Sequence, residues 1–341
     1  MPARHSRVLV TGASGFVGSA FCRHLVNLGY RVRGTTSRKD VAASMVATIF
    51  GAFGEVPDLF DAAVVPCDTP CASDWIDACR DIDVIVHLAG RVHVMRDSSD
   101  DLEAVYRKAN VDTTLALALC AAESGVKRFV FVSSVLVNGS STERPFSERD
   151  VPRPKETYAA SKLFAEQGLQ ALARETGLDV VVLRPPLIYG PGVGANFLRL
   201  MRSVDQGWPM PFGRVDNRRS LLYLGNFTDA IRVCLDHPAA TGQTFLVSDG
   251  EDVSSAELIR RLALAMHRPA RLLPVPPAWL RAAGALLGRR ADVDRLLGSL
   301  CVDSTKIQRE LGWRPPFSMD EGLRQTADNY FRHIDNKKTQ G

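Results

Sequence analysis

The segment Arg7-Val8-Leu9-Val10-Thr11 leads directly into Gly12-Ala13-Ser14-Gly15-Phe16-Val17-Gly18, and this stretch decides the fold class. The first five residues have the pattern of a short strand, and an amphipathic helix follows the glycines as far as Leu28. Glycines in such a turn let backbone N–H groups approach a pyrophosphate at a helix N-terminus. The spacing is GxxGxxG rather than GxGxxG, but its place between the first strand and the first helix predicts a dinucleotide site.

Strands and helices alternate through the first half of the chain, and glycines at 29, 125 and 177 mark the ends of three helices. Continuous apolar strands such as 180–183 are typical of a parallel sheet that is covered on both faces. The sequence therefore predicts an α/β protein with a doubly wound parallel (Rossmann) sheet of about seven strands. The predicted strands are 7–11, 31–36, 62–66, 83–88, 128–133, 179–184 and 243–247.

The alternation breaks after Arg184, where Pro and Gly crowd into residues 185–194. We expect a dinucleotide-binding domain over residues 1–184, rejoined by about 215–247. A smaller mixed substrate lobe is expected over residues 185–214 and 248–341. Within this lobe, residues 277–288 are amphipathic, a pattern found both in packed helices and in helices that lie on a membrane. At this length, a packed helix of the small lobe is the favoured interpretation.

The composition is that of an ordinary globular protein. The 341 residues include 42 basic and 38 acidic side chains without a dense Lys/Arg block, so we expect no nucleic-acid partner. The sequence contains no run of 18 apolar residues, so we expect no membrane-spanning helix. The few residues before Arg7 leave no room for a signal peptide. We therefore expect a cytoplasmic protein without membrane insertion.

Cysteines and histidines do not form a convincing metal site. Cys67, Cys71 and Cys79 cluster in the sequence but have no CxxC pair and no nearby ligand histidines, so we expect buried, reduced thiols. His87 and His93 lack a paired carboxylate or a third ligand, which favours core or rim positions. The sequence thus predicts no metal site.

Tyr158 and Lys162 are four residues apart in a predicted helix from 156 to 176, so both side chains lie on one face. An ammonium beside a phenol favours the phenolate, and we expect Lys162 to lower the pKa of Tyr158. Tyr158 then becomes a candidate proton acceptor or donor near neutral pH. Ser133 and Ser134 end the fifth predicted strand, so that a hydroxyl can face the same cavity.

Residues at the ends of other strands are suited to hold a dinucleotide. The second strand ends at Thr36-Ser37-Arg38, with hydroxyls and cations instead of a carboxylate, which favours the 2′-phosphate of NADP(H) over NAD. Asp68, after the third strand, is placed to accept from an adenine amino group. Leu88-Ala89-Gly90, after the fourth strand, puts small residues where a ribose can lie against the backbone.

These motifs together resemble the extended short-chain dehydrogenase/reductase family of nucleotide-sugar epimerases, dehydratases and ketoreductases. The resemblance runs from Arg7 to about Tyr330. Besides the glycine turn and Tyr158/Lys162, it rests on 87–90, Asn110-Val111, Ser133-Ser134, 183–185 with 189–192, 302–306 and 310–313.

The resemblance implies a role for each of the central residues. Tyr158 is the expected general acid/base, Lys162 binds the nicotinamide ribose, and Ser134 hydrogen-bonds the reacting oxygen. The expected cofactor residues are Gly12, Ser14, Gly15, Phe16, Val17, Gly18, Thr36, Ser37, Arg38, Asp68, Leu88, Ala89, Gly90, Asn110, Tyr158, Lys162 and Pro185. The resemblance also implies a homodimer through a four-helix contact that includes the Tyr158 helix.

In the smaller lobe, the resemblance places Asn196 and Arg219 against a nucleotide diphosphate, with Arg295 as a weaker candidate. A guanidinium is well suited to phosphate oxygens. One departure concerns the segment after the serines, Val135-Leu136-Val137-Asn138-Gly139, where the family usually has Val-Tyr-Gly. We therefore expect Asn138 to present its amide near the sugar.

Several functions are compatible with these residues. The favoured one is a 4-ketoreductase of a UDP-4-keto-6-deoxy-N-acetylhexosamine in bacterial surface-polysaccharide synthesis. The alternative is a UDP-hexose 4-epimerase, acting on UDP-glucose or UDP-N-acetylglucosamine with tightly bound NAD. A 4,6-dehydratase is disfavoured because Val135 follows Ser134 and no acidic pair comes after it. A steroid- or flavonoid-type ketoreductase and a non-catalytic dinucleotide sensor are the remaining hypotheses.

Overall fold

A computed structural model describes residues 6–37, 45–46, 49–50, 58–65, 72–91 and 101–339. Arg38, Asp68, Cys67, Cys71 and His93 lie outside these ranges. The strands are β1 (Arg7–Thr11), β2 (Arg31–Thr36), β3 (Phe60–Val64), β4 (Val84–His87), β5 (Arg128–Val132), β6 (Asp179–Arg184), β7 (Leu187–Tyr189), β8 (Arg219–Tyr223), β9 (Thr244–Leu246) and β10 (Asp252–Val253).

Seven of these strands form one parallel sheet in the order β3-β2-β1-β4-β5-β6-β9. The order reverses between β1 and β4, which is the switch point of a doubly wound fold. The prediction of a seven-stranded Rossmann sheet is confirmed. β3 begins and ends two residues earlier than the sequence pattern suggested, and the other six strands agree within one residue at each end.

Helices cover both faces of this sheet and build the second lobe. They are α1 (Phe16–Asn27), α2 (Ala72–Cys79), α3 (Leu102–Arg107), α4 (Thr113–Glu123), α5 (Thr157–Thr176), α6 (Ala195–Asp205), α7 (Leu224–Cys234), α8 (Ser255–Ala265), α9 (Pro277–Leu286), α10 (Arg290–Leu297), α11 (Thr305–Leu311) and α12 (Met319–Thr339). A π-helical turn, Lys108–Asp112, joins α3 to α4, and a 3-10 turn, Val135–Val137, follows β5.

Alternate residues of the central strands belong to two separate cores. Val8 and Val10 join the cluster that includes Phe21 of α1 and Phe227 of α7, whereas Leu9 joins the cluster on the other face. That second cluster includes side chains from α2, α4 and α5. The period of two in a strand therefore explains why these strands are apolar throughout.

The second lobe contains a small sheet in the order β10-β8-β7, packed with α6, α8 and α12 around its own core. β7 and β8 are parallel, and β8 and β10 are antiparallel. The lobe is therefore mixed, as the sequence predicts.

The boundary between the lobes differs from the expected one in two places. β8 belongs to the small sheet, so the chain rejoins the large lobe at α7 rather than at about 215. Ile307, Leu311 and Trp313 join the core of the large lobe, although they follow residue 248. These three large apolar side chains around α11 pack into the large lobe although they come late in the chain, because burial against the sheet removes them from water.

The described residues hold five free cysteines, all buried, and no group of side chains that could bind a metal ion. Cys79 is one of the five, in agreement with a reduced thiol. Within the described ranges, no helix is both long enough and apolar enough to cross a membrane.

Candidate active site

The glycine turn after β1 brings main chain close to main chain. Gly12 has a φ of +66°, and the N–H of Gly15 donates to the Gly12 carbonyl at 3.0 Å. A Cβ on Gly18 would lie 2.1 Å from that carbonyl oxygen, and a Cβ on Gly12 would lie 3.0 Å from the nitrogen of Ala89. The turn therefore requires glycine at both positions, and it joins the carboxyl ends of β1 and β4.

The same turn opens α1 without a capping side chain. Gly15 is the N-cap residue, and because it has no side chain it cannot cap the helix. The first backbone N–H groups of α1, at Phe16 and Val17, lack an acceptor within the helix, and the helix dipole favours an anion there. Ser14 lies in the turn itself. This backbone cradle fits the pyrophosphate of a dinucleotide.

The end of β2 lies beside the glycine turn, because the N–H of Ala13 donates to the carbonyl of Thr35 at 3.3 Å. Thr36 is buried and Ser37 is half-buried. Hydroxyls thus occupy the described part of this strand end. Arg38 and Asp68 lie outside the described residues.

His87 lies in a buried chain of hydrogen bonds behind the cofactor site. The hydroxyl of Thr114 donates to the Asn110 carbonyl at 2.7 Å, so it must accept from Nε2–H of His87 at 3.0 Å. Nδ1 therefore accepts from the hydroxyl of Thr11 at 2.8 Å. Burial, assisted by the charge of Lys162, lowers the pKa of His87 to about 3. His87 is a neutral core histidine, as the sequence predicts.

This chain of hydrogen bonds shapes the turn after β4. The Thr11 hydroxyl accepts from the backbone N–H groups of Leu88 and Ala89, at 3.2 and 3.1 Å. A Cβ on Gly90 would lie 3.2 Å from Nζ of Lys162. The small residues of this turn therefore bring the backbone next to a candidate catalytic side chain.

Asn110, in the π-helical turn, connects the β4 end to α5. Its side chain accepts from the N–H of Arg91 at 2.7 Å and donates to the Arg91 carbonyl at 3.1 Å. It also donates to the hydroxyl of Ser161 at 3.0 Å, and that hydroxyl donates to the carbonyl of Tyr158. Asn110 thus positions the start of α5, consistent with a structural or cofactor-side residue.

The hydroxyl of Ser134 lies near that of Tyr158, where it lowers the pKa of the phenol. Oγ of Ser134 also accepts from the N–H of Leu136 at 3.2 Å. The ring of Tyr106, which the sequence did not single out, packs edge-on to Tyr158 with centroids 6.3 Å apart. Burial raises the pKa of Tyr158 to about 12, against the opposing effect of the Ser134 hydrogen bond.

The expected lowering of the Tyr158 pKa by Lys162 is therefore wrong. Nζ of Lys162 donates to the carbonyl of Val132 at 3.0 Å and lies 4.7 Å from the centroid of the Phe131 ring. Burial lowers the pKa of Lys162 to about 8, with a smaller opposing effect of Glu166. Desolvation acts on both groups, and spacing in the sequence does not reveal it.

Asn138 does not direct its amide to a sugar. Its Oδ1 accepts from Arg184 at 3.1 Å, and its Nδ2 donates to the carbonyl of Ser147 at 3.3 Å. Arg184 also binds both carboxylate oxygens of Glu166. The expectation for Asn138 is corrected: a buried guanidinium recruits the amide. The sequence analysis did not single out Glu166, although its position one helical turn after Lys162 places both side chains on the same face of the helix.

Arg219, at the start of the central strand β8 of the small sheet, lies next to Arg295 of α10. Nη1 of Arg219 donates to the Arg295 carbonyl at 2.9 Å and to that of Gly298 at 3.4 Å. Arg295 forms an ion pair with Glu156, the N-cap residue of α5. Burial lowers the pKa of Arg219. These contacts bring two guanidiniums close to the helix of Tyr158.

Asn196 and Pro185 have different surroundings. Asn196 is exposed on the first turn of α6 and accepts from Arg199 at 2.8 Å, so the structure does not join it to the Arg219 pair. Pro185 is buried at the end of β6, and its carbonyl accepts from the N–H of Val135 at 3.0 Å.

Comparison with known proteins agrees with this geometry. A model of the NAD dependent epimerase/dehydratase family matches residues 8–248. The chain belongs to this family. The resemblance to extended short-chain dehydrogenases/reductases is confirmed, and the chain is an enzyme of this nucleotide-sugar-processing type.

One relative and two solved structures illustrate the similarity. The UDP-glucose 4-epimerase of Vibrio cholerae is 40% identical to this chain, with 95% of each chain covered. The solved structure of UDP-glucuronic acid 4-epimerase from Bacillus cereus in complex with NAD has a TM-score of 0.76 at 20% identity, covering 96% and 99% of the two chains. The dTDP-glucose 4,6-dehydratase DesIV from Streptomyces venezuelae, with NAD bound, has a TM-score of 0.76 at 25% identity, covering 96% and 98%.

Proposed function

We propose that this enzyme is a UDP-hexose 4-epimerase that retains NAD through the catalytic cycle. The observation that carries the proposal is the 40% identity, along nearly the whole chain, to the UDP-glucose 4-epimerase of Vibrio cholerae. The comparison favours the epimerase alternative over the 4-ketoreductase that the sequence alone favoured. Ser134, Tyr158 and Lys162 supply the side chains that either reaction needs.

Tyr158 is the proposed proton carrier at the sugar O4. Its phenolate accepts the O4 proton as the C4–H bond breaks. The phenol returns that proton after the 4-keto sugar has rotated in the site. Ser134 donates to the oxygen that becomes the carbonyl. NAD held at the glycine turn would supply a reversible hydride acceptor for C4, so that epimerisation brings no net oxidation.

Lys162 is proposed to place a positive charge beside Tyr158 while the phenol exchanges its proton with the sugar. With a pKa of about 8, it is mostly protonated at neutral pH. Its ammonium is one helical turn from the phenol, where a cation stabilises the phenolate. Its Nζ donates to the Val132 carbonyl at 3.0 Å, which holds the ammonium at the end of β5.

NAD is the proposed cofactor because the family model carries that dependence and the Bacillus and Streptomyces neighbours contain it. The Gly12–Gly18 turn would hold the pyrophosphate, and the turn at Leu88–Gly90 would lie against a ribose. Thr36 and Ser37 at the end of β2 favour a 2′-phosphate instead, so NADP is the competing cofactor.

Arg219 and Arg295 are the proposed ligands of the UDP diphosphate. They lie side by side, and Arg295 is tied to the N-terminus of the Tyr158 helix through Glu156. A pair of guanidiniums suits phosphate oxygens, which accept bidentate hydrogen bonds. A 4,6-dehydratase remains disfavoured, because the residues after Ser134 are the apolar Val135–Val137 turn rather than an acid and a base.

The enzyme is further proposed to be a homodimer through α4 and α5. Leu119 of α4 and Phe164 of α5 are exposed large apolar side chains on these helices. Phe164→Glu should convert the dimer to monomers in sedimentation velocity. The control is Val151→Glu, since Val151 is also exposed but lies in neither helix. A Phe164→Glu protein that stays dimeric would exclude this interface.

The proposed function is tested on the protein as purified. After denaturation, released dinucleotide is measured, and the native enzyme is assayed with UDP-glucose and UDP-N-acetylglucosamine. We expect stoichiometric NAD and 4-epimerised product without added cofactor. Tyr158→Phe should retain the dinucleotide but lose about 10²–10⁴-fold in turnover.

The reductase alternative has a different outcome. An empty site that binds NADPH more tightly than NADH, with turnover of a 4-keto UDP-sugar and no epimerisation, would replace the proposed function by the 4-ketoreductase. Undiminished turnover in Tyr158→Phe would exclude Tyr158 as the proton carrier.

A further inference from the structure

The helices α9 and α10 form a hairpin, residues 277–297, at the periphery of the second lobe. Its inner side is closely packed: a Cβ on Gly284 would lie 2.6 Å from Cγ2 of Val293. The N–H of Arg289 donates to the Gly284 carbonyl at 2.7 Å, which fixes the bend between the helices. Gly284 therefore marks the side of α9 that faces α10.

The opposite side of α9 is apolar and exposed to solvent. Residues 279, 282, 283 and 286 recur at helical spacing and lie roughly opposite Gly284. Trp279 is 70% exposed, Leu286 is 89% exposed, and Leu287 at the end of the helix is 75% exposed. We call Trp279, Ala282, Ala283, Leu286 and Leu287 the apolar face of the hairpin.

This exposure corrects part of the sequence-based expectation. A helix packed within the small lobe would bury its apolar stripe, but here only the Gly284 side is buried in the described structure. Single exposed leucines are normal on protein surfaces, whereas a tryptophan and a leucine on one helical stripe, with another exposed leucine at the end of the helix, are not.

The surroundings of the apolar face are strongly basic. Residues 271–297 contain five arginines and two aspartates, with no lysine or glutamate. Asp292 and Asp294 pair with three of the arginines at exposed positions, where such pairs are weak. The arginines are Arg271, Arg281, Arg289, Arg290 and Arg295.

We propose that the apolar face docks this enzyme peripherally on an anionic lipid bilayer. Trp and Leu on one side of a helix, with arginines around them, are the pattern of a helix that lies in the membrane interface. Arginines next to the bilayer gain from the negative potential of anionic headgroups.

The charge of the hairpin decides between occupants. A second copy of the chain docked face to face would bring two hairpins together, each with four arginines and only two aspartates, and like-charge repulsion opposes this. Nucleic acid would satisfy the arginines but would leave Trp279 and the leucines without an apolar partner. An anionic bilayer satisfies both features.

The hairpin is also tied to the candidate active site. Arg295 of α10 binds Glu156 at the start of the Tyr158 helix, and its carbonyl accepts from Arg219. Docking would therefore hold the substrate lobe next to the bilayer without a conformational change in the large lobe.

The test is co-sedimentation of the full chain with phosphatidylcholine vesicles, with and without phosphatidylglycerol. We expect binding to the vesicles that contain phosphatidylglycerol, weakened by salt. Leu286→Glu and Trp279→Glu should each lower the bound fraction by about tenfold, because a charge must then be buried in the interface. Leu264→Glu is the matched control, since Leu264 is 76% exposed on α8, away from the hairpin.

Folding and activity are checked in the same proteins. All three positions are exposed, so thermal unfolding and turnover in solution should match the unsubstituted enzyme. Equal binding to both kinds of vesicle, or equal loss of binding in Leu264→Glu, would overturn the proposal. Self-association in sedimentation velocity that Leu286→Glu abolishes, without vesicle binding, would assign the face to a second copy instead.

Discussion

Arg184, at the end of β6, binds both carboxylate oxygens of Glu166, one helical turn beyond Lys162 on α5. The pair is almost fully buried, and Arg184 also donates to Asn138. The strand end that leads into the second lobe is thereby tied to the helix that carries Tyr158. The negative charge of Glu166 also favours the charged form of Lys162.

Glu166→Gln should destabilise the fold and the candidate site together. It leaves the buried guanidinium of Arg184 without its counter-charge, which costs about 3–5 kcal/mol. It also lowers the pKa of Lys162 further, so that turnover should fall most steeply at alkaline pH. Glu175→Gln is the control, because Glu175 is exposed on the same helix. Urea unfolding and a pH–kcat profile measure the two effects, and equal unfolding midpoints would contradict the structural role.

Ser134→Ala should slow turnover by about 10²-fold, as the loss of a donor to a developing oxyanion does. The Ser134 hydrogen bond lowers the pKa of Tyr158, so its removal raises that pKa. The limb of the pH–kcat profile that reports Tyr158 should therefore move to higher pH. Ser133→Ala is the matched control, since Oγ of Ser133 is buried without a hydrogen-bond partner in the described structure. A profile that does not move would argue against the Ser134–Tyr158 bond.

Thr114→Val should weaken dinucleotide binding without touching the dinucleotide. It removes the acceptor of His87 Nε2–H, and an unsatisfied buried donor costs about 1–3 kcal/mol. His87 then no longer holds Thr11, which binds the turn at Leu88–Ala89. Thr113→Val removes a more exposed hydrogen bond, to the Lys108 carbonyl, and should have little effect. Calorimetric titration with NADH compares the two, and equal affinities would refute this coupling.

Asp249 should make the fold less stable as the pH rises from about 4 to 6. Burial raises its pKa from 3.8 to about 6, against hydrogen bonds from Asn226, Tyr223 and Tyr189. Between these values the native state binds more protons than the unfolded state, so stability is full below pH 4 and is lost through pH 6. The loss is about 3 kcal/mol. Asp249→Asn should flatten this part of the curve of unfolding free energy against pH, and an unchanged slope would assign it to other groups.

The sequence predicted the features that depend on neighbouring residues. The Gly12–Gly18 turn, the glycine at 177 that ends α5 and the doubly wound parallel sheet of seven strands follow from local pattern and from the rules of parallel sheets. Tyr158 and Lys162 share a helical face, as their spacing requires. The core position of His87 was also predicted, because the sequence offers it no paired carboxylate or third metal ligand.

The features that the sequence missed depend on burial and on contacts across the chain. The pKa of Tyr158 is set by desolvation, which spacing on a helix does not report. Asn138 is recruited by Arg184, 46 residues later, and this contact exists only once β6 lies beside β5. The exposed side of α9 was missed because amphipathic patterns do not say whether the apolar stripe finds a partner.

The late return of the chain to the large sheet limits how this enzyme can be recombined. β9 and α11 complete the large sheet and its core only after the chain has built β7 and β8 of the other lobe. A single cut after Arg184 would release an open sheet edge at β6 and remove Phe227, Ile307 and Trp313 from the core. The second lobe therefore cannot be exchanged for that of another enzyme at a single junction. A change of substrate specificity requires replacing several separate segments of the chain at once.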